Sequence, residues 1–137
     1  MKLISNNKFQ MSNQIQNQNV KNKYDLGERT AKFGEEIIIF VKNLSDSLVN
    51  RPLLNQLVRS GTSVGANYME ADGAESKKDF QHKIGTCKKE SKETMHWLRM
   101  MSVANPDKSE KCRKLWKEAH ELTLIFSSIV KKKRFEI

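Results

Sequence analysis

The stretch Gln56-Leu57-Val58-Arg59-Ser60-Gly61-Thr62-Ser63-Val64-Gly65-Ala66-Asn67-Tyr68-Met69-Glu70-Ala71 decides the fold. With Leu54 before it, Leu57, Val58, Gly61, Val64, Gly65, Tyr68 and Ala71 recur at the steps of a helix with one buried face. Yet Ser60 to Asn67 is a poor helix former, since each glycine costs about 1 kcal/mol against alanine. A helix that keeps such residues gains something from them: small side chains let a neighbouring backbone approach closely. Asn50 with Pro52 in the first turn opens this helix and Gly73 stops it. Ser63, Asn67 and Glu70 stand at i, i+4 and i+7, a polar line beside the apolar one. The expectation is that this line meets Glu90, Glu93 or Trp97 of an antiparallel neighbour as an interior hydrogen-bonded network. The alternative is that it faces solvent.

Three further periods flank this helix. Asp25 with Glu28 forms a capping box ahead of Leu26, Phe33, Ile37, Phe40, Val41 and Leu44. Ser76 with Asp79 forms another, ahead of Phe80, Ile84, Cys87, Ser91, Thr94 and Leu98. Asn105-Pro106 ends that third helix and opens a fourth with Cys112, Leu115, Trp116, Ala119, Leu122, Phe126 and Ile129 on one side. Short connections cannot cross the length of a helix of about 30 Å, so neighbours must run antiparallel. The predicted fold is all-α, an antiparallel up-down four-helix bundle over residues 25–137.

Residues 1–24 hold ten Asn/Gln and four Lys with no acid and no clear apolar period. They are predicted to be a disordered tail. The whole chain has 137 residues, which fits one domain and leaves no room for separate cofactor and substrate domains. Two cysteines without ligand spacing make neither a disulfide framework nor a zinc module. No apolar run follows the N-terminus or approaches the length of a membrane span, so a cytoplasmic protein without a membrane role is expected.

Charge carries the functional signal. The chain has 25 Lys+Arg against 16 Asp+Glu, a net charge of +9. Residues 25–44 and 45–73 are each slightly acidic at −1, whereas residues 74–104 carry +3 and 105–137 carry +4. At about 100° per residue, Lys77, Lys88, Lys92 and Arg99 lie close together on the third helix, with Lys78 and Lys89 adjoining. An oligomer would multiply this stripe into a surface suited to phosphate contacts with RNA or DNA. A solvated face is the plainer reading. His96 beside the stripe is either a base-stacking side chain or an ordinary surface histidine. Lys131-Lys132-Lys133-Arg134 either grips RNA or complements the negative end of the fourth helix.

Oligomerisation has its own signal. Ile37-Ile38-Ile39-Phe40-Val41 is apolar around nearly the whole helix, so Ile38 and Ile39 remain over once the core is filled and are candidate interface residues. Chemistry finds less support. Glu93 and His96 make half of a di-metal motif, but His120 has Lys117 three positions before it, so no metal site is predicted. Cys87 lies on the apolar stripe as a buried thiol. Gly61 to Gly65 lacks the Lys-Ser/Thr of a phosphate loop. No catalytic constellation and no cofactor are expected.

The run Gln56 to Ala71 resembles the signature of small bacterial four-helix-bundle proteins first recognised as products of intervening sequences in 23S ribosomal RNA genes. The likeness continues through Ser76-Lys77-Lys78-Asp79-Phe80, Lys88-Lys89-Glu90-Ser91-Lys92-Glu93-Thr94, Trp97-Leu98-Arg99 and Ile125-Phe126-Ser127-Ser128-Ile129. It spans residues 24–130. Gly73-Ala74 departs from it, and the Asn/Gln-rich tail has no counterpart. The family is similar to the accessory variability determinant of diversity-generating retroelements, a basic pentameric barrel that binds nucleic acid and a reverse transcriptase. The resemblance implies a homo-oligomer, a pentamer, without enzymatic activity, with RNA or DNA as ligand and a reverse transcriptase as the kind of protein partner. The rival expectation is an assembly module whose basic face meets an acidic protein.

Overall fold

Asp25 accepts a hydrogen bond from the Glu28 amide and starts helix α1, Leu26–Lys42. Helix α2 runs Asn50–Asp72, α3 Lys77–Ala104, and α4 Ser109–Phe135 after a 3-10 turn at Pro106–Lys108. The computed structural model describes residues 25–135, with side chains up to Lys132. The tail over residues 1–24, Lys133 and Arg134 of the basic run, and residues 136–137 therefore lie outside the described residues or side chains. Ser76 caps α3 through the Asp79 amide at 3.0 Å, as its capping box predicts. Asn50 behaves differently: it begins α2 without capping it.

The four helices form an all-α up-down bundle in which α1 packs on α2, α2 on α3 and α3 on α4, while α4 meets α1 over a short stretch. Arg29 braces that short seam. Its guanidinium holds Glu118 with two hydrogen bonds of 2.8 Å and reaches Glu121 at 3.1 Å. Phe33, Ile37, Leu57, Val64, Ile84, Leu98, Met101, Leu122 and Phe126 are fully enclosed in the core. Each such side chain contributes about 1.5–3 kcal/mol on leaving water. Among the described residues no helix is long and apolar enough to cross a membrane.

The glycine run of α2 has a packing reason. A Cβ on Gly65 would stand 3.3 Å from the Thr30 carbonyl of α1, and one on Gly61 would stand 2.9 Å from Ile37. The two backbones meet at Gly65, and at Gly61 the α2 backbone meets the Ile37 side chain, so that a Cβ at either position would push its neighbour aside.

Polar groups inside the bundle differ from the predicted line. Ser63 and Asn67 hydrogen-bond back to carbonyls of their own helix, at Arg59 and Ser63, and Glu70 pairs across the surface with Lys83. None of the three bonds Glu90, Glu93 or Trp97. At this level of the bundle a buried bond between α2 and α3 is made instead by Thr94, which donates to Ser60 Oγ at 2.9 Å. Ser60 lies about 60° round the helix from Ser63, nearer the core, and that rotation separates an interior hydroxyl from a rim hydroxyl. Glu90 and Glu93 are reached from α2 by Arg59, and Glu93 also accepts from the Trp97 indole at 2.8 Å.

Candidate nucleic-acid interface

Helix α3 sorts its charges by direction. Its core side is fixed by Ile84, Cys87, Ser91, Thr94, Leu98 and Met101, all buried. The opposite side carries Lys78, His82, Lys89, Lys92, His96 and Arg99, all exposed and within an arc of about 100°. No acid stands among them. Lys77, exposed, and Lys88, half-buried, turn toward the side that carries Met95, which accepts a bond from Thr123 of α4. The acids lie on the other flank, where Arg59 engages Glu90 and Glu93. Among the described residues, no carboxylate pairs with Lys77, Lys78, Lys88, Lys89, Lys92 or Arg99. Lys78, Lys89, Lys92 and Arg99 thus share one surface, with Lys78 and Arg99 about 30 Å apart along the helix at ~1.5 Å per residue, while Lys77 and Lys88 lie at its edge toward α4.

Two depressions interrupt this track. At its start, an open groove of about 620 Å³ is lined by Lys78, His82, Thr86 and Lys89 of α3 and Val130 of α4, with Gly85 at its floor. A Cβ on Gly85 would meet nothing within 4 Å, so no packing among the described residues calls for glycine there. At the other end of the track, Arg99 borders a smaller pocket that it shares with Trp116 and Arg113 of α4. Spacing did not point to His82, Gly85 or Arg113, and it placed Trp116 only on the apolar side of the fourth helix. For His82 the signal was present, four residues after Lys78 on the same face. For the α4 residues it was not, because which side of α4 faces Arg99 is a matter of tertiary packing.

His96 lies edge-on to Trp97, with ring centroids 4.9 Å apart, and Glu93 is held by Arg59 and Trp97. The half-motif of a metal site is therefore engaged in contacts of its own. Both thiols are buried, and burial pushes Cys87 up to about 12 and Cys112 up to about 11. At neutral pH they are uncharged thiols with little nucleophilic character.

Ile38 and Ile39 stand 43% and 58% exposed on α1. Ile38 borders a shallow trough of about 250 Å³ between α1 and α2, floored by Ala31, Gly34, Gly65 and Ala66 and closed by Met69. Ile39 points elsewhere, to a depression it shares with Lys111, Lys114 and Leu115 of α4. The two isoleucines thus lie on two surfaces.

The 23S rRNA-intervening sequence protein family model matches residues 22–128. Among solved structures, the chain is similar to a protein of unknown function from the S23 ribosomal protein family of Bacteroides thetaiotaomicron. The two share 30% identity and a TM-score of 0.67, over 77% of this chain and 97% of that one. No curated protein matches the chain. The family match takes in most of the sequence and all but the end of the bundle, and the chain belongs to the 23S rRNA-intervening sequence protein family.

Proposed function

We propose that this protein is a non-enzymatic homo-oligomer that binds the phosphate backbone of RNA or DNA along α3. The supporting observation is the segregation of charge on that helix: Lys78, Lys89, Lys92 and Arg99 face outward without a carboxylate partner among the described residues, while Glu90 and Glu93 are drawn to Arg59 on the other flank. Lysines act as point charges, so the mode is contact with phosphates and not reading of base sequence. Oligomerisation would set several such tracks side by side and give a scaffold for a partner such as a nucleic-acid enzyme. The trough between Ile38 and Met69 offers an apolar contact for it, and the resemblance is the ground for reading the assembly as a pentamer. An electrophoretic shift with structured RNA at low and physiological salt tests the reading. Binding that weakens steeply with salt supports it. No shift at low salt overturns it and leaves an acidic protein as the ligand of the basic face.

A further inference from the structure

The pocket at the Arg99 end of the track has a chemistry that a phosphate backbone does not need. Its floor is Leu98 and Cys112, both buried, and Trp116 gives it an indole wall. Val103 stands at its rim, 75% exposed. Arg99 and Arg113 flank it from the two helices, and among the described residues neither pairs with a carboxylate. Trp116 is itself backed by His120, with ring centroids 5.0 Å apart and planes 26° from parallel. The cavity measures about 210 Å³, the scale of one aromatic ring system.

Apolar floor, aromatic wall and two guanidinium groups make a recognisable set. An unpaired base is a flat ring system with a phosphate on either side of its sugar. It gains by stacking on aromatic side chains and guanidinium planes, and its phosphates gain from the arginines. A paired duplex offers no base face to such a pocket. Charge favours this occupant over an uncharged apolar peptide, because Arg99 belongs to both the pocket and the track.

We infer that the Trp116 pocket receives a single unpaired nucleobase of the nucleic acid held along α3, so that the preferred ligand carries a bulge or loop. The inference rests on the electrostatic reading above and sharpens its ligand. A backbone held along α3 toward Arg99 would deliver its bulged nucleotide there.

The test uses the full chain with three RNA probes of common sequence: a paired duplex, the duplex with one bulged uridine, and the same bulge made abasic. Three DNA counterparts accompany them. Anisotropy of labelled probes gives affinity, and emission of a Trp97→Phe variant reports Trp116 alone. The expected result is binding of the bulged probe about tenfold tighter than the paired one, with quenching of Trp116. The abasic bulge should lose both effects. Trp116→Ala should abolish the preference while sparing duplex affinity. Val103→Glu, at an exposed site where the fold is not at stake, should weaken binding of the bulged probe more than that of the paired duplex, because its carboxylate stands at the pocket rim and also near Arg99 of the track. A bulge preference in RNA or in DNA supports the inference and names the sugar. Equal affinity for all probes without quenching overturns the pocket and leaves the phosphate track standing. No binding to any probe at low salt overturns both. Quenching as strong from an acidic peptide with an aromatic residue, without a bulge preference, overturns the base and assigns the pocket to a protein.

Discussion

Gly61 lies so close to Ile37 that a Cβ built on the glycine would stand 2.9 Å from Ile37 Cγ1. Ile37 is fully buried and cannot swing away, so α1 and α2 are set at a distance that only a bare backbone allows. Gly61→Ala gains about 1 kcal/mol of helix propensity. It loses about 1–3 kcal/mol to overpacking, for a net destabilisation on the order of 1 kcal/mol. Gly85→Ala gains the same propensity with nothing to meet and should stabilise by about 0.5–1 kcal/mol. Urea denaturation of the two variants should show midpoints moving in opposite directions.

Asn50 and Asn105 exchange two side-chain hydrogen bonds of 3.0 Å in a buried position, and so tie the start of α2 to the end of α3. Replacing one asparagine by alanine leaves the other amide without its partner, at a cost of about 1–3 kcal/mol. The double replacement should cost less than the sum of the singles, and a double-mutant cycle in urea measures that coupling.

The thiols make the bundle sensitive to alkali. Burial lifts Cys87 from 9.0 to about 12 and Cys112 to about 11. The folded state therefore keeps protons that the unfolded chain surrenders above pH 9. This contribution is complete below that pH and is lost as pH climbs toward the folded values, at up to about 1.4 kcal/mol per unit for each thiol. Unfolding midpoints followed from neutral to alkaline pH should fall, and more gently in Cys87→Ala than in the parent.

The trough between α1 and α2 predicts where copies of the chain meet. Met69 is 71% exposed and Ile38 is also exposed, so Ile38→Glu with Met69→Glu removes no core contact. Light scattering should show the parent as an oligomer and this variant at monomer mass with unchanged helicity. A monomeric parent at micromolar concentration would contradict the interface.

How far the residues alone disclose this molecule depends on which interaction governs each position. Asp25, Ser76 and Asn105-Pro106 mark helix ends because capping and proline geometry are local, and the structure places the ends there. The periodic apolar residues mark the core for the same reason. Asn50 misleads as a cap, since its partners, Ser45 and Asn105, come from the loop before α2 and the far end of α3. The polar line from Ser63 to Glu70 misleads by one helical step, because rotation about an axis is set by the neighbour and not by the sequence of one helix. The basic residues of α3 were visible as spacing on a single helix, but spacing centred the stripe on Lys77, Lys88, Lys92 and Arg99, whereas packing against α4 leaves Lys78, Lys89, Lys92 and Arg99 on the outward face. The Trp116 pocket was not visible, because it needs α3 and α4 in register.

Phosphate contact by α3 is the centre of the proposed function, and the salt dependence of RNA binding tests it most directly. Affinity for a bulged RNA, plotted as the logarithm against that of salt concentration, should fall linearly in the parent. In Lys89→Glu, Lys92→Glu, Arg99→Glu combined, binding should be lost or its slope reduced by about 3, one for each phosphate contact. Circular dichroism should remain that of an intact bundle. A parent that does not bind at low salt, or a triple variant that binds with unchanged affinity and slope, would contradict the account.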